Sequence, residues 1–256
     1  MSTSEMKKML SLVRRAVEDY GMIEEGDRIA VGISGGKDSL ALLRTLTAMR
    51  EFYPKRYEVI GVTIDMGFPA SDFSAIRAFC HACGADYRVV PTEIAKIVFD
   101  VRRESNPCAL CAKLRRGALH AEAKRLGCNK IALGHHYDDV VDTFMLNLFY
   151  EGRLGCFSPV TYLSRRDLTL IRPMIYCEEH EVVWFANKQR LPVMKSPCPE
   201  DHNTERETMK NLLRDLERNN RGLRKRIFRA VCKGGVDGFR EIDRFAYLRR
   251  APEDEA

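Results

Sequence analysis

Residues 28–39 read RIAVGISGGKDS, and LALL follows at once. An apolar run enters a small, polar, glycine-bearing loop, and the loop enters a second apolar run with no linker. A strand apolar on both faces must be covered on both faces, and the helix that follows directly covers one of them. The pattern recurs. YEVIGVTI (57–64), YRVV (87–90), KIALG (130–134) and LTLIRP (168–173) read as four further strands. Helices are expected after Ser39, from Ser71 to Cys83, and over 111–127, 138–150, 178–190 and 203–218, with a basic helix after Gly222. Met6, Met9, Leu10, Val13, Ala16, Val17 and Tyr20 recur at helical spacing ahead of the first strand. Strands alternating with helices predict a doubly wound α/β fold with a five-stranded, mostly parallel sheet, an N-terminal helix and C-terminal helices. Ligands in such sheets lie beyond the carboxyl ends of the strands. Three of those ends carry polar or glycine-rich residues: Ser34–Ser39, Asp65, and His135–Asp139.

Composition narrows the partners. The 256 residues carry a formal net charge of +6, a bias toward anions. The charge is uneven. Residues 102–125 hold seven Lys/Arg (Arg102, Arg103, Lys113, Arg115, Arg116, Lys124, Arg125) against two acids, and residues 221–233 hold six (Arg221, Arg224, Lys225, Arg226, Arg229, Lys233) and no acid. Such runs also occur as solvated helix faces. No signal peptide and no apolar stretch of membrane-spanning length is found, so the expected location is the cytoplasm with no membrane partner. Nine cysteines in a reducing compartment point to metal, redox or plain buried-thiol roles before disulfides.

In the loop, Ser34, Gly35 and Gly36 let the backbone come close to an anion, because glycine adds no Cβ. Their N–H groups and the following helix N-terminus supply positive potential, and Lys37 adds a full charge. The common nucleotide loop G-x-x-x-x-G-K-[ST] does not fit, since Val31 and Asp38 stand where Gly and Ser or Thr are needed. A plain Gly-Gly turn would not account for Ser34, Lys37, Asp38 and Ser39 around the glycines.

The cysteines include two pairs at i, i+3. Cys108 and Cys111 open a helix and share a face, so they can hold one metal. Cys80 and Cys83 have the same spacing at a helix end and read as ordinary helix cysteines, while Cys128, Cys177 and Cys232 read as helix-end or buried thiols. Cys198 lies between Pro197 and Pro199 in SPCPEDHNTERE. On residue types alone, a zinc site completed by His202 stays open beside an iron–sulfur site.

SGGKDS resembles the pyrophosphate loop of the N-type ATP pyrophosphatases, which split ATP between its α and β phosphates and activate a substrate oxygen as an adenylate. Four further elements narrow the resemblance: CxxC followed by a basic L-R-R-G segment, a later cysteine beside proline, GHHYDDVVDT at 134–143, and IRPM at 171–174. Together, over roughly residues 6–215, they resemble the tRNA 2-thiocytidine synthetase family. The resemblance implies an adenine nucleotide alpha hydrolase-like fold. It implies ATP and Mg²⁺ at Ser34, Gly35, Gly36, Lys37, Asp38, Ser39, Asp65, Gly134 and His135, with Lys37, Asp38 and Asp139 catalytic. It further implies a [4Fe–4S] cluster on Cys108, Cys111 and Cys198 with one iron open. The implied reaction adenylates C2 of cytidine 32 in a tRNA anticodon loop and replaces its oxygen with sulfur. Implied partners are tRNA and a sulfur donor such as a cysteine desulfurase, with a homodimer left open. Asp142 stands where the family has Glu. Lysidine synthetase shares the loop and the GHH-x-DD element but lacks the CxxC, so the cysteines separate the two. A nucleotide-binding small-molecule enzyme or cluster-based redox regulator is the remaining alternative. The expected organisation is an N-terminal helix (1–26), a PP-loop domain with the iron–sulfur site (27–200) and a basic helical extension (201–256).

Overall fold

A computed structural model describes residues 4–69, 71–102, 107–195, 197–198 and 205–242. Six strands form one sheet: β1 (Asp27–Gly32), β2 (Tyr57–Asp65), β3 (Asp86–Pro91), β4 (Lys130–Ala132), β5 (Val160–Leu163) and β6 (Leu168–Ile171), in the order β3-β2-β1-β4-β6-β5. All neighbours are parallel except β5, which runs antiparallel to β6. The expectation of five strands is therefore corrected to six. The added strand is a four-residue edge element in which Tyr162 is exposed. It follows Pro159 and has no continuous apolar run, so hairpin pairing rather than burial defines it.

Helices flank the sheet: α1 (Ser4–Asp19), α2 (Lys37–Met49), α3 (Ser74–Ala82), α4 (Pro107–Arg125), α5 (Tyr137–Tyr150), α6 (Glu179–Lys188), α7 (Glu205–Asn219) and α8 (Leu223–Lys233). The central strand explains the layering. Ile29, Ala30 and Val31 of β1 are all fully buried, so both sheet faces are covered. One core joins β1 to α1, α2 and α6 through Val13, Val17, Leu42, Leu46, Val182 and Phe185. The opposite core seats Leu119 and Ala123 of α4 on Ala30, Ile60, Val62 and Ile131. Val141 of α5 meets Met209 and Leu213 of α7 in a third cluster, where Leu223, Ile227 and Phe228 also pack.

Two local features bear on the site. Pro107 is the first residue of α4, where a missing N–H costs nothing. A π-helical segment, Lys96–Arg102, precedes it. Val98 of that segment packs with Ile94 and Cys111 in a small cluster that holds the start of α4 beneath the end of β2. The chain runs β1, β2, β3 to one side and then returns to place β4 on the other side of β1. The crevice at this switch lies between the loops that leave β1 and β4.

Candidate active site

The loop after β1 is closed on itself by its serines. Ser34 N donates to Ser39 Oγ at 3.2 Å, Ser39 Oγ donates to the Gly36 carbonyl at 3.0 Å, and Gly36 N donates to Ser34 Oγ at 3.3 Å. Gly35 has φ +86°, a conformation that a side chain would strain. Its carbonyl accepts from Met194 N at 2.9 Å, which ties the loop to the segment leading toward Cys198. Gly36 is extended and caps α2, so Lys37 and Asp38 stand in the first helical turn. The loop after β4 meets this turn edge to edge. A Cβ on Gly134 would lie 3.0 Å from the Asp38 carbonyl carbon and 3.1 Å from Ser39 N.

The second loop then enters α5 through His136. That residue is extended and caps the helix, and its N–H donates to Asp139 Oδ2 at 2.9 Å. His136 is buried, with Nε2 3.9 Å from Asp38 Oδ1 and Nδ1 3.5 Å from Asp139 Oδ2. Asp38 Oδ1 is sealed from solvent and, among the described residues, accepts no hydrogen bond, although Lys37 Nζ stands 3.2 Å away. An orphaned carboxylate oxygen suits a cation. Cations from the C-terminal helices meet the other acids. Arg206 of α7 lies 3.3 Å from Asp139 Oδ1, and Arg224 of α8 lies 2.8 Å from Asp142 and 3.2 Å from Asp138. Burial alone would raise Asp139, but His136 and Arg206 outweigh it and hold the carboxyl below its ordinary range. Burial raises Asp142, with Arg224 pulling back.

A cavity of about 400 Å³ gathers these groups. Lys37, Asp38, His136, Asp139, Asp142 and Glu179 line one part, and Cys108, Cys111 and Cys198 line another. Cys108 is exposed, Cys111 buried and Cys198 half-buried. Burial pushes the Cys111 thiol up, Arg115 draws it back by hydrogen bond and charge, and Cys198 and Cys108 lie near enough to add to the rise. Among the described residues no three His, Cys, Asp or Glu side chains are drawn together as a closed metal site. The donor chemistry nonetheless fits an iron–sulfur group: three thiols face one cavity, and the Arg115 guanidinium offsets part of the rise that burial imposes on Cys111. His202 and Pro199 lie outside the described residues, so the zinc alternative has no geometry here.

Other expected site residues fall elsewhere. Asp65 ends β2, where its Oδ1 accepts from Gly67 N at 3.0 Å, outside the cavity lining. His135 turns away from the cavity. Its ring stacks on Phe157 with centroids 4.7 Å apart, and its Nδ1 accepts from Arg172 Nε at 3.2 Å. Burial lowers the His135 pKa to about 4 and that of Arg172 to about 10. Conversely, Glu179, Arg206, Lys210 and the π-segment residue Phe99 line the cavity without having been singled out in the sequence, and within the stretch His135–Asp139 it is His136 rather than His135 that lines it. Arg206 and Lys210 are i, i+4 on the polar side of a helix anchored by Met209 and Leu213, a pattern that in sequence reads as a solvated face.

Comparison with known proteins bears on these groups. The PP-loop domain family matches residues 3–234. A curated protein of Geobacter sulfurreducens, tRNA-cytidine(32) 2-sulfurtransferase, is 41% identical over 228 residues, covering 88% of this chain and 89% of its own length. The protein of the same description from Syntrophotalea carbinolica is 44% identical over 213 residues, covering 82% of each chain. Among solved structures, the U34-tRNA thiolase NcsA from Methanococcus maripaludis with its [4Fe-4S] cluster is 27% identical with a TM-score of 0.72, over 88% of this chain and 78% of that one.

Proposed function

The chain belongs to the PP-loop family and, within it, to the tRNA-cytidine(32) 2-sulfurtransferases, and from that premise we propose how its residues carry out ATP-dependent thiolation of tRNA. One observation supports the assignment of roles. Lys37 and Asp38, at the end of the phosphate-type loop, and three cysteines from distant parts of the chain line the same cavity.

In this reading the backbone N–H groups of Gly35 and Gly36, the start of α2 and Lys37 receive the pyrophosphate end of ATP. Asp38 and Asp139 would hold Mg²⁺ against the phosphates, with the buried Asp38 Oδ1 as a ready ligand. His136 stands between the two carboxylates and keeps them apart. The C2 oxygen of an unstacked cytidine attacks the α phosphorus, the bond to the β phosphate breaks and pyrophosphate leaves, and the adenylate so formed departs as AMP when sulfur takes its place at C2. Cys108, Cys111 and Cys198 would hold a [4Fe–4S] cluster, which supplies an open iron able to carry sulfide. Arg115, one turn after Cys111, lowers the cost of a thiolate there and lines the cavity. Sulfur would come from a donor such as a cysteine desulfurase, with a homodimer as the candidate assembly.

The test is nucleoside mass spectrometry of tRNA from cells that carry or lack the gene. Loss of 2-thiocytidine at position 32, restored by the wild-type gene and not by Cys198→Ser, is the expected result. Unchanged 2-thiocytidine in the deletion strain would refute the reading.

A further inference from the structure

The loop lysine is not alone. Lys37 Nζ lies 3.4 Å from Glu179 Oε1, and Lys210 Nζ of α7 lies 2.7 Å from the same oxygen. All three side chains line the cavity. Two ammonium groups therefore converge on one carboxylate oxygen, the arrangement that a bridging phosphate oxygen makes between two lysines. Neither cation is there by accident of a mobile surface chain. Lys37 is fixed in the first turn of α2, and Lys210 follows Met209, which is 1% exposed and clamped against Val141 of α5. Glu179 is fixed in turn by its backbone N–H, which donates to Asp138 Oδ2 at 2.7 Å at the start of α6. Two like charges held this close in a partly dry cleft repel unless an anion stands between them, and Glu179 is that anion here.

We propose that Lys210 and Lys37 form a phosphate-binding subsite for the pyrophosphate portion of the nucleotide, and that Glu179 occupies it as a placeholder. The inference rests on the reading of the cavity as an ATP site and extends it to a helix outside the loop motifs. On entry, the polyanion takes both lysines and Glu179 swings toward solvent, where a quarter of its side chain already lies. The other acids facing Lys210 are Glu207 and Asp142. They keep its charge in place but make no ion pair with it among the described residues. Arg206, one turn earlier on α7, also faces the cavity and rests on Asp139 and on Thr143 Oγ1 at 3.1 Å. The α7 helix thus brings cations into the same cavity as the loop lysine, and it begins just after the segment that carries Cys198.

The experiment is calorimetric titration of the full chain with inorganic pyrophosphate in magnesium buffer, comparing wild type with Lys37→Ala, Lys210→Ala and Glu179→Gln. Lys210→Ala should weaken pyrophosphate about ten- to hundredfold, the loss expected of a charge-assisted contact. Lys210→Arg should retain most of the affinity. Glu179→Gln keeps the shape, removes the competing charge and should tighten binding about two- to fivefold, a gain that misfolding cannot produce. Wild-type affinity in Lys210→Ala together with loss in Lys37→Ala would overturn the subsite and leave the loop reading standing. Wild-type affinity in both would overturn the loop reading with it. Normal pyrophosphate binding but weakened tRNA binding in Lys210→Ala would assign the lysine to RNA and sink the proposal.

Discussion

His135 and His136 are adjacent and face different surroundings. The backbone at His136 is extended, so neighbouring side chains leave on opposite sides: His136 enters the cavity and His135 stacks on Phe157 beneath Arg172. The Arg172 hydrogen bond makes His135 Nδ1 an acceptor, so the ring is neutral with its proton on Nε2. Burial holds its pKa at about 4 against 6.5 for an ordinary histidine. The sign follows from proton uptake. Between those values the unfolded chain binds a proton that the folded chain refuses, so this contribution is complete above 6.5 and is lost as pH falls toward 4. The loss is on the order of 3 kcal/mol. His135→Gln, whose amide oxygen can still accept from Arg172, should flatten the fall of melting temperature over that range. A slope equal to wild type would mean that His135 does not titrate differently in the two states. His120, lowered by burial and by Arg116 and Arg166, supplies part of any remaining slope. Sequence alone cannot choose between His135 and His136, because each is flanked by residues that carry no face marker. Lys37 was legible because its loop stops a buried strand, whereas Asp65 sits at an equivalent strand end and is used by a local turn instead.

At the scale of elements, the site depends on two loops packing backbone to backbone. Gly134 is the contact point, and a methyl group there would press on the main chain of Asp38 and Ser39 at 3.0–3.1 Å. Main chain at a helix start yields less readily than a side chain. Gly134→Ala should therefore cost about 1–3 kcal/mol of stability, and it should weaken ATP binding while tRNA binding is kept. Equal ATP affinity would mean that the two loops move independently. The elements themselves were largely legible. The buried strands announced themselves by apolar runs, and the helices by 3.6-residue spacing. The β5 edge strand was not, because hydrogen bonds to β6, rather than its composition, make it a strand. The π-helical segment was not legible either. KIVFDVR has no local signature for an i to i+5 ladder, and such segments often accompany functional sites. Here it carries Phe99 to the cavity wall beside Cys108.

Across the whole molecule, charge and sulfur are distributed unevenly, and only part of that was visible in one dimension. In the basic run at 221–233 only Arg224 is drawn into the fold, on Asp142 and Asp138, while Lys225, Arg226, Arg229 and Lys233 stay exposed and rest on Glu178, Asn220 and Glu241 at the surface. On α4, Lys113 and Arg116 are exposed and make no ion pair among the described residues, so this helix is the freer surface for an RNA backbone. Lys113→Ala with Arg116→Ala should weaken tRNA binding and reduce its salt slope by roughly 0.7–0.9 for each phosphate no longer neutralised. Binding isotherms at several salt concentrations would read this, and an unchanged slope would return both residues to plain solvation.

The cysteines give the strongest test at this scale, because nine thiols divide into groups that the fold treats differently. Cys80, Cys128 and Cys177 are buried in cores, and burial raises each thiol, Cys80 to about 12. A high thiol pKa in apolar surroundings makes a poor metal ligand. Cys83, Cys156 and Cys232 are half-buried and lie outside the cavity, with Cys156 Sγ donating to the Val140 carbonyl. Only Cys108, Cys111 and Cys198 reach the cavity that also holds Lys37 and Asp139. Protein purified without oxygen should therefore be brown, with about four irons and four sulfides per chain for one [4Fe–4S] cluster. Cys108→Ser, Cys111→Ser or Cys198→Ser should abolish or destabilise that colour while leaving pyrophosphate binding at the loop intact. Cys80→Ser, Cys83→Ser, Cys128→Ser or Cys232→Ser should leave the iron content unchanged. A colourless protein with one zinc per chain would overturn the cluster. Retention of full iron after Cys198→Ser would place the third ligand elsewhere and undo the link between α7 and the sulfur site.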